Sequence, residues 1–235
     1  MAGYRTHIGV SGLLGTAYGA AATLVFGFTP VQGALAGVLT WVAGMLPDLD
    51  SESGKPVREV FNLLAAAAPL CMMRRLMVWG GNPEGAVLLA VLLYAAIRYG
   101  GAMLLGAVSV HRGMFHSLPA MIIAAELAFL AYESDAILVK LLMAGGVAAG
   151  FLSHLVLDEI YAVEWTGLRL KLNKFAGSAV KLLGPRMVPN VVTYALLAVL
   201  TYASLVDAGL LKDPAGRRKP APALRQAAEE QPAYR

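Results

Sequence analysis

Charge, cysteine and histidine are all scarce in this chain. Only 14% of its 235 residues are charged, against 58% hydrophobic, whereas soluble domains carry roughly 25% charge. That shortage excludes an ordinary soluble domain. The apolar residues also fall in runs near the roughly 20 residues a helix needs to cross a bilayer, so the class is a polytopic membrane protein. A single cysteine, Cys71, sits within an apolar run. It excludes an intrachain disulfide, gives no compartment signal, and reads as a small apolar filler. The net charge of +4 does not indicate nucleic-acid binding, because much of the excess falls in short loops and the tail, where anionic lipid headgroups attract it.

What is there is a series of apolar runs with polar punctuation. Residues 8–28 read as a first span, in which Ser11, Gly15 and Gly19 recur every fourth position. Such a stripe lets another helix approach closely, and His7 lies one step before it. Residues 31–47 form a second span containing Gly33, Gly37 and Gly44, and it runs into Leu46-Pro47-Asp48-Leu49-Asp50. Proline disfavours further helix, so both aspartates fall at the membrane edge. Residues 57–73 are a span candidate stopping at Arg74-Arg75, with an interfacial helix as the alternative. Residues 85–108 follow, interrupted by Arg98, for which Glu126 is a possible partner.

Then comes His111-Arg112-Gly113-Met114-Phe115-His116-Ser117, with Ser117 placed to cap a short span over 118–132. In the next span, 136–158, Gly146, Gly150, His154 and Asp158 follow one another at four-residue spacing. One helix face therefore passes from close packing to two potential ligands. Residues 159–187 are basic and apolar by turns, as in an interfacial amphipathic segment, and 188–208 form a last span. The expected fold class is all-α: a polytopic transmembrane helix bundle of about 6–7 spans, with one domain over 1–211 and a polar, disordered tail over 212–235.

If each run crosses the membrane once, His7, the Asp48/Asp50 pair, His111/His116 and His154/Asp158 all reach the same side. The counting requires 57–73 to cross. Taken singly, each group has a plainer reading: an interfacial histidine, a polar loop, a headgroup-facing cation at Arg112. His111 and His116 cannot share one helical face either, because five residues turn the helix by about 500°, leaving the side chains roughly 140° apart. A break near Gly113 would allow them to meet. Jointly, the seven candidates His7, Asp48, Asp50, His111, His116, His154 and Asp158 form a ligand set for one or two divalent ions, zinc first, with manganese or iron as alternatives. Arg112 could hold an anionic oxygen bidentately, and Arg112 and Asp50 are the candidate catalytic residues.

Thr6-His7, Leu46-Pro47-Asp48-Leu49-Asp50, His111-Arg112-Gly113-x-x-His116-Ser117 and His154-x-x-x-Asp158 resemble the ordered motifs of the YdjM-like inner-membrane family. The likeness covers roughly residues 6–160. Phe115 stands where the family pattern has threonine, and Glu159-Ile160-Tyr161 departs from it as well. A looser likeness runs to zinc-dependent phospholipase C and P1-type nucleases. The resemblance implies a prokaryotic inner-membrane protein, a metal-dependent hydrolase using metal-bound hydroxide on a phosphoester or lipid-like ester, with membrane lipid as its surroundings. Two alternatives stand beside it. Arg98, Glu126 and Lys140 in or beside apolar runs would suit a transporter or ion pathway. A non-catalytic protein with a structural metal would need no open coordination position. Basic residues fall on both sides of the membrane by this counting, leaning slightly toward a cytoplasmic site.

Overall fold

A computed structural model describes residues 3–50, 54–101, 114–166, 169–172 and 180–212, without the side chains of 49–50, 54–60, 163–166 and 169–172, and among these described residues seven α-helices make up the fold. In order they are α1 (Tyr4–Leu24), α2 (Pro30–Ala43), α3 (Gly54–Gly80), α4 (Pro83–Ala95), α5 (Leu118–Ala131), α6 (Ile137–Ile160) and α7 (Met187–Asp207). Their starts follow from local chemistry. Thr29 and Gln32 form a capping box ahead of α2, Asn82 caps α4 through Gly85 N–H, and Ser117 caps α5 through Ala120 N–H. Each satisfies a backbone donor that the first helical turn leaves unpaired. Gly81 takes a φ of 70° between α3 and α4, a conformation that side chains other than glycine's disfavour.

Among the described residues, five segments are long and apolar enough to cross a membrane: Pro30–Asp48, Phe61–Gly80, Pro83–Gly101, Ile137–Ile160 and Met187–Asp207. α5 is apolar but only 14 residues long, and α1 has the length but is diluted by glycine and hydroxyl side chains. The fold is thus an all-α membrane bundle. α3 runs on to Gly80 rather than stopping at Arg74-Arg75. Its two arginines reach sideways, Arg74 to Asp135 at 2.7 Å and Arg75 to the Ala131 carbonyl at 3.3 Å. Long basic side chains can carry their charge away from the helix they grow from, so a charge pair need not end an apolar run.

The bundle centre is α1 against α2 and α2 against α6. On α1 the buried residues include His7, Ser11, Gly15 and Gly19, the stripe read from the sequence. A Cβ on Gly15 would collide with the Gly37 carbonyl, and one on Gly19 would lie 2.5 Å from that of Gly33. A Cβ on Gly150 would strike the Thr40 carbonyl. The three helices therefore meet backbone to backbone, with Ala36, Leu39, Val42, Met143 and Val147 filling the space alongside. α4 and α7 turn nearly all their residues outward.

Within the stretch expected to be amphipathic and interfacial, Val163–Thr166 and Arg169–Leu172 pair as an antiparallel hairpin, β1 and β2. Further on, a short strap over 180–186 lies against the start of α5, where Leu118 N–H donates to the Lys181 carbonyl at 3.1 Å. Asp50's side chain, His111 and Arg112 lie outside the described residues, as does the tail from 213.

Candidate metal centre

Four chain segments bring their polar residues to one end of the bundle. His7 is on the first turns of α1. Asp48 lies in the 3-10 turn Leu46–Asp50 that continues α2. His116 immediately precedes the Ser117 cap of α5, and His154 and Asp158 occupy the last two turns of α6. The glycine contacts explain the convergence. Gly150 seats α6 against Thr40, and the next two residues on that face, one and two turns later, are His154 and Asp158.

The side chains are buried: His7 2% exposed, His116 7%, His154 1% and Asp158 3%. Asp158 Oδ1 lies 3.2 Å from His7 Nε2. Its Oδ2 lies 3.7 Å from His154 Nε2 and 3.8 Å from His116 Nε2. On the other flank, Asp48 Oδ1 lies 3.6 Å from His154 Nε2. The His7 and His154 rings stack with centroids 3.7 Å apart and planes 11° from parallel, and His116 meets His154 edge-on at 5.6 Å.

His154 has a defined orientation. Its Nδ1 is 2.8 Å from the Gly44 carbonyl. A carbonyl can only accept, so Nδ1 carries the proton and Nε2 presents its lone pair to the carboxylates. This is the arrangement metal-binding histidines adopt, with the far nitrogen tied to an oxygen. Among the described residues, His7 Nδ1 and His154 Nε2 are buried without a hydrogen-bond partner, a costly condition for polar atoms unless something else engages them.

Two overlapping triads result, His7/His154/Asp158 and Asp48/His116/His154, each with ligand atoms within 4.8 Å of one another. Neighbouring ligands of a tetrahedral ion with bonds near 2.0 Å sit about 3.3 Å apart. The observed 3.2–3.8 Å separations lie close to that. Imidazole nitrogens and carboxylate oxygens, dehydrated and converging at such spacing, could hold a divalent metal ion.

Glu126 and Lys140, ionisable residues elsewhere in the bundle, have partners of their own. Glu126 accepts from Thr201 Oγ1 at 2.6 Å, not from Arg98, because α5 lies against α6 and α7 whereas the π-helical turn Ala96–Gly101 that carries Arg98 lies against α3. Arg98 stands 5.3 Å from the ring of Tyr99. Lys140 is ion-paired with Asp207 and lies 4.4 Å over Phe129. Sequence reasoning missed the Gly44 carbonyl, because Gly44 was legible only as a packing residue and a backbone acceptor has no side-chain signature. It also missed the strap over 180–186 beside His116.

A bundle of apolar helices defines a helical integral membrane protein, and the His/Asp cluster at one end of it could hold a metal ion. Its family follows from comparison: the YdjM inner membrane protein family matches residues 1–172, and the chain belongs to it. It is therefore an integral inner-membrane protein. No curated protein and no solved structure matches the chain, so the looser likeness to phospholipase C and P1-type nucleases gains no support.

Proposed function

We propose that this protein is a metal-dependent hydrolase of a phosphoester or lipid-like ester at the membrane edge, with zinc as the ion, and manganese or iron as alternatives. The observation that carries the reading is the meeting of His7, Asp48, His116, His154 and Asp158, from four segments, in one cluster that is buried except at Asp48. A bound divalent ion would polarise the ester and make water acidic enough to attack near neutral pH. The chain's own residues divide the remaining tasks. Gly44 fixes the His154 tautomer. Asp158 presents one oxygen to His7 and the other to His154 and His116. Arg112 is proposed to hold the anionic oxygen of the substrate, and Asp50 to take the proton of the attacking water.

The described residues support one shared centre, since His154 has a single nitrogen left to offer. A second ion would draw on His111 or Asp50. The apolar helices around the site favour a substrate already resident in the bilayer. Metal analysis of the purified protein tests the reading. About one or two equivalents are expected, falling more than tenfold in affinity for His116→Ala or Asp158→Ala, since even the loss of a partner behind a ligand costs 10–100-fold. Metal-free protein, unchanged by those substitutions, would end it. Bound metal without turnover of any phosphoester or carboxylester lipid in mixed micelles would leave a structural metal site instead.

A further inference from the structure

α7 turns most of its length outward, yet its one buried residue is a polar one, Asn190. An amide buried in a lipid-facing helix needs a reason. Here both of its polar atoms serve a single glycine: Gly184 N–H donates to Asn190 Oδ1 at 2.8 Å, and Asn190 Nδ2 donates to the Gly184 carbonyl at 2.9 Å. One turn further along α7, Tyr194 O–H donates to the Leu182 carbonyl at 2.9 Å. The strap over 180–186 is thus held to α7 at two points.

The other edge of the strap meets the candidate site. Lys181 pairs with Ser117 as a parallel β-bridge, and Leu118 N–H donates to the Lys181 carbonyl. A Cβ on Gly184 would stand 3.2 Å from both Asn190 Oδ1 and Met114 Sδ. Met114, His116 and Ser117 are all buried beneath this contact. The backbone that carries His116 is therefore gripped between the α5 cap on one side and the strap on the other.

We infer that Asn190 is a positioning residue: through Gly184 and the strap it sets where His116 stands, so that metal binding depends on a part of the chain beyond residues 1–172, which the family accounts for. The inference rests on the metal-centre reading given above. His7, His154 and Asp158 are fixed by helix contacts among α1, α2 and α6. His116 alone among the described candidates comes from a non-helical approach to its helix, and the strap is what pairs with that approach.

Cobalt(II) is the probe, because its visible absorption reports the number and type of ligands. Full-length protein in detergent would be titrated with cobalt(II) as wild type, His116→Ala, Asn190→Leu, Gly184→Ala and Leu196→Ala. Leu196 is a 45% exposed residue on α7, six positions beyond Asn190. Asn190→Leu and Gly184→Ala should weaken cobalt binding on the order of tenfold, the lower end of what losing a ligand's support costs, and shift the spectrum toward that of His116→Ala. Leu196→Ala should match wild type. Wild-type affinity and spectrum in both clamp variants would overturn the inference, as would equal weakening by Leu196→Ala. Should Asn190→Leu fail to fold, Gly184→Ala decides alone. A wild-type protein that binds no cobalt would instead sink the metal-centre reading, and this one with it.

Discussion

The two nitrogens of His154 have different surroundings, and only one of them is hydrogen-bonded. Nδ1 is committed to the Gly44 carbonyl at 2.8 Å and Nε2 faces Asp48 and Asp158. Replacing it with glutamine would keep a polar side chain but could not serve both directions at the same reach. His154→Gln should therefore lose metal more than tenfold, as judged by metal content after dialysis, while the helical circular dichroism is retained. The ligand candidates were legible in the sequence because they are chemically rare: four histidines in an apolar chain stand out. Their supports were not. The Gly44 carbonyl has no residue type to betray it, and Asn190 looks like any polar residue near the start of an apolar run. Its partner, Gly184, lies in a strap without periodicity.

At the scale of elements, the four-residue rhythm of small side chains was the strongest signal, and α1 and α6 bury the faces it marks. The rhythm is readable because helix geometry repeats it. The β1–β2 hairpin was not read, although Arg169-Leu170-Lys171-Leu172 alternates polar and apolar with the period of a strand. Eight residues of alternation inside a basic stretch fit an interfacial helix nearly as well. Gly150→Val places atoms into the Thr40 carbonyl, so it should lower stability by about 2–3 kcal/mol, near the top of the range for overpacking, and weaken metal binding with it. Thermal unfolding in detergent, with and without zinc, reads both. The Lys140–Asp207 pair joins α6 to α7, with side chains 6% and 11% exposed. Lys140→Met alone should cost about 3–5 kcal/mol by stranding the carboxylate. Lys140→Met with Asp207→Leu should recover most of that loss in the same unfolding measurement.

At the scale of the whole molecule, the two ends of the bundle differ in kind. One end gathers His7, Asp48, His116, His154 and Asp158. The other carries Arg74 with Asp135 and Arg75 with Glu133, around the turn between α5 and α6. With the buried Cys71 changed to alanine, single cysteines at Asn82 and Ser134 should react with a membrane-impermeant maleimide from one side only. Cysteines at Gly3 and Tyr161 should react only from the other. Reaction of Asn82 and Tyr161 from the same side, in intact cells and inverted vesicles alike, would contradict this arrangement. The counting of spans expected seven candidates at one end because the runs alternate direction, and the five of them whose side chains are described do gather there.

The backbone contact of Gly15 with Gly37, and of Gly19 with Gly33, bears on how such a chain can vary. A site held by interlocking side chains constrains its neighbours to compensate for one another. Here the ligand-bearing ends are registered by carbonyls and α-carbons, so the outward residues have little to transmit. Leu13 and Val31, 75% and 77% exposed, can be exchanged for other apolar residues without moving His7 or Asp48. Within α1 and α2, substitution is expected to be tolerated at such outward positions and resisted at Gly15, Gly19, Gly33 and Gly37, where a Cβ would meet the facing backbone.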